Sequence, residues 1–361
     1  MTVKTNICFF LGSFQGGGAE NMVLQILRHI DKNKFAPFVC VFTKEGILKD
    51  EYESLGINIY EFPVNNIIRA AFEYIRFVKF LFNYKITVIH INLVGTFLFS
   101  MTAAFLTGIK IRILHWQNAY EYSRTKKRKA VKYGSLLATK IIAISEYVKK
   151  RNCDIYEIES SKVVTIYNSI EINETKENVT KNKEMVVGTI GKMTEQKGYD
   201  VLLKSFSLVA KQYPECRLEI IGNGKLKNEI KKMIEDYELK NNVELLGVMP
   251  NYVAKERMKT WKIFVLASRW EGFGIVLIEA MSLGIPVVAS SVEAIPEIVK
   301  DGKCGYLFQK DNFLELAEKL NLMIGNTDEI SNLGKAGRSI VLEKFNIIRT
   351  IKSFESLYNQ K

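Results

Sequence analysis

The sequence predicts an α/β protein made of two doubly wound, Rossmann-like domains in tandem. Short apolar runs alternate with helical patterns from end to end, and within each run nearly every residue is apolar rather than every second one. Strands of that kind are buried on both faces, as in a parallel sheet covered by helices. The alternation breaks once, at the polar stretch EINETKENVTKNK (Glu171–Lys183), and then restarts. At 361 residues the chain is long for one such domain and ordinary for two.

Ahead of the break, strands are expected at Ile7–Leu11, Phe38–Phe42, Val88–Ile91, Ile111–His115, Ile141–Ile144 and Val163–Ile166. Helices Ala19–Ile30, Ile67–Phe82, Thr96–Leu106 and Lys126–Thr139 fill the intervals. Beyond it, strands fall at Val186–Ile190, Leu218–Ile221, Val243–Leu246, Ile263–Ala267 and Val287–Ser290. Helices lie around Val201–Gln212, Leu226–Tyr237, Ile275–Leu283 and Phe313–Ile324. Gly284-Ile-Pro286 stops the third of these in the usual manner. The last stretch, Asn346–Tyr358, is apolar at helical spacing and is expected to dock on a core. The expected domains are therefore 1–175, joined by 346–361, and 184–345.

Composition excludes other classes. Hydrophobic residues make up 47% and charged ones 25%, which rules out a disordered or fibrous chain. Five scattered cysteines, without C-x-x-C or histidine at ligand spacing, suggest neither a disulfide framework nor a zinc site. Ile91–Ile109 is nineteen residues without a charge, long enough to span a bilayer. Gly95 and Thr96 divide it, and its pieces read as a strand end and a buried helix. The amino terminus offers only Ile7–Leu11 as an apolar stretch, short for a signal peptide core. A cytoplasmic chain is expected.

The net charge of +12 is uneven: residues 101–150 carry eleven basic side chains against two acidic ones. Such a field draws phosphates, whether of nucleic acid, anionic lipid or lipid-linked diphosphate.

Four motifs follow strand ends. Gly12-Ser-Phe-Gln-Gly16-Gly17-Gly18-Ala-Glu20 opens a helix after the first strand, where glycines and free N–H groups suit a phosphate. Asn21 stands where the dinucleotide fingerprint has its third glycine, and no Gly-Lys-Ser/Thr follows, so a plain turn fits as well. Gly191-Lys192-Met-Thr-Glu-Gln-Lys197-Gly198 places two lysines where they could neutralise a diphosphate or simply be solvated. Gly222-Asn223-Gly224 is a turn that could also shape a pocket. The strongest is Glu271-Gly-Phe273-Gly274-Ile275-Val276-Leu-Ile-Glu279, leading into a helix apolar nearly all round. A carboxylate on a buried helix needs a partner. For Glu279 that is a ribose diol or an internal lysine or arginine; Glu271, in the loop before the helix, could grip a sugar hydroxyl. His115 ends its strand and is either a polar group at the crevice or a satisfied structural residue; His90 is a weaker candidate. No Asp-x-Asp occurs, nor a G-x-S-x-G elbow. Aromatic platforms for RNA are also missing, which argues against nucleic acid.

Taken together, GGGAE (Gly16–Glu20), IAISEYVKK (Ile142–Lys150), IYNSI (Ile166–Ile170), GKMTEQKG, IIGNG, LLG (Leu245–Gly247) and the E-x7-E segment resemble the retaining nucleotide-sugar glycosyltransferases of family four, with the GT-B fold. The resemblance covers most of the chain and implies two Rossmann-like domains facing across a cleft, the terminal helix crossing back to the first. It implies that Lys192 and Lys197 hold the donor diphosphate in place of a metal, that Glu279 binds the ribose, and that Glu271 lies near the transferred sugar. Phe273, Gly274, Ile275 and Val276 would meet sugar and phosphates, and Gly16 and Gly17 the diphosphate. Gly222 lies in the matching IIGNG turn, Met249 near the base, and His115 in the sugar site. No cofactor or metal is implied. Lysine at 192 replaces a commoner arginine and loses bidentate geometry. Ser291-Val-Glu293-Ala294-Ile-Pro-Glu297 lacks the glycines usual before Pro-Glu.

The expected reaction is metal-free, front-face transfer from a nucleotide-sugar, a UDP-sugar by family frequency, to a glycan or polyprenyl-linked sugar in surface polysaccharide assembly. Arg124–Lys132 (RTKKRKAVK) is expected to rest on the anionic inner face of the cell membrane, or else to be a solvated basic helix. An epimerase of the same fold, marked by an acid/base pair beyond Glu271 and Glu279, is one alternative; a non-catalytic binder of anionic ligands is the other.

Overall fold

A computed structural model describes residues 4–119, 125–172 and 184–359. It divides into two compact units, Met1–Ser169 with Ile347–Lys361, and Ile170–Asn346. Most of the polar break falls outside the described residues.

The first unit runs β1 (Thr5–Leu11), α1 (Gly18–His29), β2 (Phe35–Val41), α2 (Lys49–Ser54), β3 (Ile59–Glu61), α3 (Ile67–Asn83), β4 (Val88–Ile91), α4 (Phe97–Leu106), β5 (Ile111–Trp116), α5 (Thr125–Leu137), β6 (Lys140–Ala143), α6 (Glu146–Tyr156) and β7 (Val163–Thr165). The second runs β8 (Val186–Ile190), α7 (Tyr199–Gln212), β9 (Arg217–Ile221), α8 (Lys227–Asp236), β10 (Val243–Gly247), α9 (Asn251–Met258), β11 (Ile263–Leu266), α10 (Ile275–Ser282), β12 (Val287–Ser290), α11 (Ile295–Ile298), β13 (Gly305–Phe308), α12 (Phe313–Ile324) and α13 (Thr327–Lys344). α14 (Ile347–Tyr358) then returns to the first unit, burying Ile351, Phe354 and Tyr358 against its core beside α1.

Both sheets are parallel throughout, in the orders β3-β2-β1-β4-β5-β6-β7 and β10-β9-β8-β11-β12-β13. Each unit has its own core, because strands such as β1 and β11 are buried on both faces. Each order reverses at one point, beside β1 and beside β8. At such a point neighbouring loops diverge and leave a crevice at the carboxyl ends of the strands.

Ile91–Ile109 divides as expected, into the end of β4, one short turn and α4. Among the described residues no helix is long and apolar enough to cross a membrane. β2 begins three residues earlier than expected, running through Pro37. β3 pairs only from Val39 onward, so the missing N–H of Pro37 falls on an open edge. α13 was not expected at all, since Gly334 and Gly337 weaken a helical pattern. A Cβ at Gly334 would collide with the Gly284 carbonyl, so the glycine is what lets α13 lie against the end of α10.

Helix starts differ in how they are capped. α3, α6, α12 and α13 begin at Asn66, Ser145, Asn312 and Asn326, each accepting a hydrogen bond from a backbone N–H of the first turn. α1, α7 and α10 begin at Gly17, Gly198 and Gly274, with no side-chain cap. These three follow the strands that flank the switch points, and their free N–H groups remain open to a ligand.

Candidate functional site

The second unit assembles the best-formed site from the loops after β8 and β11. The β8 loop ends in a tight turn, Glu195–Lys197, closed by Gly198 at φ 58°. A Cβ on Gly198 would strike the Ala267 carbonyl, so glycine allows the two loops to meet. Arg269 then ties them together. Its guanidinium donates to Asp200 (2.6 Å), Asp311 (2.7 Å) and the Glu195 carbonyl (2.9 Å), and its own N–H donates to the Gln196 carbonyl (2.7 Å). Gln196 Nε2 returns a bond to the Trp270 carbonyl at 3.0 Å. The outcome is that Lys197 Nζ sits 2.5 Å from Glu271 Oε2, with both side chains about five-sixths buried (16% and 15% exposed). Ser268 Oγ reaches the same carboxylate at 3.4 Å. Lys192 lies exposed in the β8 loop.

α10 starts from Gly274 at φ 95°, and the N–H groups of Ile275 and Val276 lack acceptors within the helix. Phe273 is buried edge-on against Phe345, 5.7 Å between ring centres, which fixes the turn before them. Glu279 lies on the same helix, largely buried. Burial pushes its carboxyl up, while Lys255 of α9, at 3.4 Å, opposes that shift. The internal lysine partner is therefore present. The lysine remains 40% exposed, so the carboxylate keeps only a loose hold on it. α9 itself is fixed by Glu219, buried in β9, which accepts from Arg257 Nε (2.7 Å) and Trp261 Nε1 (2.8 Å).

Gly222, at φ 146°, serves the loop rather than displaying itself: a Cβ there would collide with the Gly191 carbonyl at the start of the lysine loop. Met249 is half-buried in the turn between β10 and α9.

One residue the sequence reading left without a role is Glu293, after β12. Its Oε2 accepts from the Glu271 backbone N–H at 2.6 Å, and it does so from a left-handed backbone, φ 47°. The only signal in the sequence was the missing glycine. Glu293→Gly should relieve about 1 kcal/mol of backbone strain and lose this anchor. We expect Glu293→Ala to be less stable than Glu293→Gly by roughly that amount, with both slowing turnover alike. Thermal unfolding and initial rates check this, and wild-type rates in both variants would sink it.

The first unit places its glycine turn after β1. Gly16, at φ 85°, would collide with Ile47 if it carried a Cβ. Asn21, at the missing third glycine, donates to the Gly16 and Gly17 carbonyls at 3.1 and 3.0 Å and so fixes the turn. His115 lies near the carboxyl end of β5. It is fully buried, its Nδ1 3.2 Å from His90 Nε2, and burial lowers it to about 3, so it is neutral. The basic tract falls on α5, with Arg124 outside the described residues. Lys132 pairs with Glu157 at 2.7 Å and Arg128 donates to the Ile155 carbonyl at 3.3 Å, so part of its charge is held within the unit.

Among the described residues no group of three histidine, cysteine or acidic side chains could hold a metal ion, and the five cysteines are free thiols.

Two parallel doubly wound units, with lysines, carboxylates and uncapped helix starts at the strand ends, define a transferase-type α/β protein of the GT-B fold. Residues 171–340 match the profile of glycosyl transferases group 1 and residues 16–174 that of Glycosyltransferase Family 4, and the chain belongs to this glycosyltransferase family. It is 29% identical over 251 residues to the poly(ribitol-phosphate) alpha-N-acetylglucosaminyltransferase of Staphylococcus aureus, a match spanning 69% of this chain and 50% of that one. It is 28% identical over 291 residues to the Staphylococcus aureus capsular polysaccharide biosynthesis glycosyltransferase CapM, 74% of each chain. In fold it is similar to Anabaena Alr3699/HepE in complex with UDP, at TM-score 0.86 and 20% identity over 98% of this chain and 99% of that one. A glycosyltransferase from Rickettsia africae superposes with TM-score 0.85 at 19% identity, over 98% of each chain.

Proposed function

We propose that this protein transfers a sugar, with retention at the anomeric carbon, from a UDP-sugar to a hydroxyl of a glycan or lipid-linked glycan during assembly of a cell-surface polymer. The observation that carries this is the Lys197–Glu271 pair beside the glycine-started α10, at the switch point of the second unit. The related chains support the acceptor class, and UDP bound to HepE supports the base.

The chemistry follows from what each group can do. The acceptor oxygen bonds to the anomeric carbon on the face from which the diphosphate leaves. The bond from that carbon to the phosphate oxygen breaks, and the departing phosphate takes the acceptor's proton. Lys197, Lys192 and the N–H groups of Ile275 and Val276 stabilise the charge that develops on the diphosphate. Glu271 holds the sugar beside them and keeps Lys197 in place. Glu279 takes the ribose hydroxyls. Positive groups in this number make a metal unnecessary, and the sequence has no Asp-x-Asp to hold one. Binding of nucleotide tests the reading. UDP at about 100 times its dissociation constant should add about 2.7 kcal/mol of stability, visible as a thermal shift that EDTA leaves unchanged. No shift with UDP, GDP or ADP or their sugars would point instead to a non-catalytic binder.

The acceptor's membrane is met through the first unit. α3 supports this more than the basic tract does. Ile68, Phe72, Ile75 and Phe82 stand exposed at helical spacing, Ile68 at 85%, beside Arg69, Arg76 and Lys79. Its one carboxylate, Glu73, is buried between Arg69 (3.1 Å) and Arg76 (3.0 Å), so the outer face is apolar and positive. We expect co-sedimentation with anionic vesicles at low salt, lost in Ile68→Asp/Phe72→Asp. Equal partitioning onto neutral vesicles would refute docking by charge.

A further inference from the structure

Glu279 and Lys255 meet between two helices of the second unit. Lys255 sits on α9, one residue after the buried Ala254 and one turn before the buried Met258. α9 is pinned by Glu219, buried in β9, which accepts from Arg257 Nε and Trp261 Nε1. Trp261 in turn lies against Gly188 of β8, where a Cβ would overlap the indole ring. On the facing helix, Leu277, Ile278 and Met281 are buried and hold α10 in place beneath Glu279. Lys255 Nζ then stands 3.4 Å from Glu279 Oε1, the lysine side chain 40% exposed and the glutamate side chain 13% exposed.

This separation is longer than a charge-assisted N–H···O bond of about 2.7–2.9 Å. The ammonium therefore attracts the carboxylate without occupying its lone pairs, and water can hold the remaining ammonium protons. Burial favours the neutral carboxyl, and the lysine charge favours the carboxylate. Among the described residues the other cations around α10 are engaged elsewhere. Arg338 of α13 donates to the Ser282 carbonyl at the end of the helix (3.1 Å), Lys197 pairs with Glu271 ahead of its start, and Arg257 is held by Glu219. β11 and β12, packed against α10, carry no ionisable side chain. The protonation state decides what this group can bind. A carboxylate accepts on both oxygens and can take two protons donated by a ribose diol, whereas a neutral carboxyl turns one oxygen into a donor.

We propose that Lys255 is a positioning residue that keeps Glu279 ionised and aimed, so that the donor site accepts both hydroxyls of a ribonucleotide and discriminates against its 2′-deoxy counterpart. This rests on the reading of the protein as a UDP-sugar transferase. It explains why the cation is held loosely: a tight, fully buried ion pair would compete with the diol, and no cation at all would leave the carboxyl protonated. It also gives the buried Glu219–Arg257–Trp261 contacts a task, since they set where α9 presents the lysine.

The ion pair can be tested without nucleotide. Carboxyl-carbon NMR of the full chain, with Glu279→Gln for assignment, should show Glu279 titrating at a higher pH in Lys255→Met than in the wild type, with Lys255→Arg close to the wild type. Selection is then read from titrations with UDP and 2′-deoxy-UDP. Each variant is compared with the wild type at the same pH, so that the titration of the terminal phosphate cancels. The wild type should bind UDP about tenfold more tightly than 2′-deoxy-UDP, the value of one hydrogen bond to a charged group. In Lys255→Met that preference should be lost at a pH where the wild type keeps it. It should return as pH rises through the raised carboxyl value, because the acid is protonated below that value and ionised above it. In a Glu279→Gln background, Lys255→Met should leave the preference unchanged. A Glu279 titration unmoved by Lys255→Met, or a preference indifferent to it, overturns the proposal. Equal loss of UDP and 2′-deoxy-UDP affinity overturns it too, since the lysine would then act on phosphate or base, as does a gain in UDP affinity, which would make it a competitor of the ribose. A shifted titration with no UDP binding by the wild type would instead sink the transferase reading, and the ribose half of this proposal with it.

Discussion

Lys197→Ala should lower the turnover number by about 100- to 1000-fold, the usual cost of removing one preorganised group from a developing negative charge. Charge and placement both matter here. The ammonium is held 2.5 Å from Glu271 in a mostly buried setting, where water cannot replace it. The same substitution leaves Glu271 with only the Ser268 hydroxyl at 3.4 Å, and a carboxylate stranded in this way destabilises the fold. Activity and stability must therefore be separated. Lys197→Ala/Glu271→Gln removes the stranded charge and should regain most of the lost stability, yet stay as inactive as the single variant. Initial rates and thermal unfolding of the three proteins decide it. Recovery of activity along with stability would make the pair structural.

Glu279→Gln should weaken nucleotide binding about 10- to 100-fold, the range for a hydrogen bond to a charged group, while making the unliganded protein more stable at neutral pH. The sign follows from burial. In the unfolded chain this carboxyl titrates near 4.5; in the fold burial raises it, against the pull of Lys255. The folded state therefore binds the proton more tightly. Stability from that group is present at low pH and is lost as pH rises through the raised value, above which a charge is kept buried at a cost. Glutamine has no charge to bury, so the advantage of the variant should appear above that value and vanish below it. Unfolding curves across pH, with UDP titrations on the same samples, test both halves. A variant less stable at every pH and unimpaired in binding would make Glu279 merely the partner of Lys255.

Glu279 is buried at a cost and Glu293 adopts a left-handed backbone, and strain of this kind tends to collect at functional sites. Arg269, by contrast, touches no reacting atom in the proposed scheme. Its bonds to Asp200, Asp311 and two backbone carbonyls bring the β8 and β11 loops together.

The sequence by itself determined the two doubly wound domains, the strand ends at which function gathers, and the E-x7-E and lysine motifs. Hydrophobic runs and glycine turns are local signals, and a parallel sheet writes them plainly. It could not determine α13, because a helix with interior glycines is legible only once Gly284 is seen against Gly334. Nor could it choose between ribose and lysine for Glu279, since Lys255 lies on another helix. Only the tertiary structure decided that Lys197 meets Glu271 and that Glu293 holds the Glu271 backbone. It also decided that Tyr358, from the far end of the chain, reaches His90 and through it His115. Those contacts join residues 22 to 268 positions apart. Such pairings depend on how strands are ordered and helices laid across them, which no local pattern of residues records.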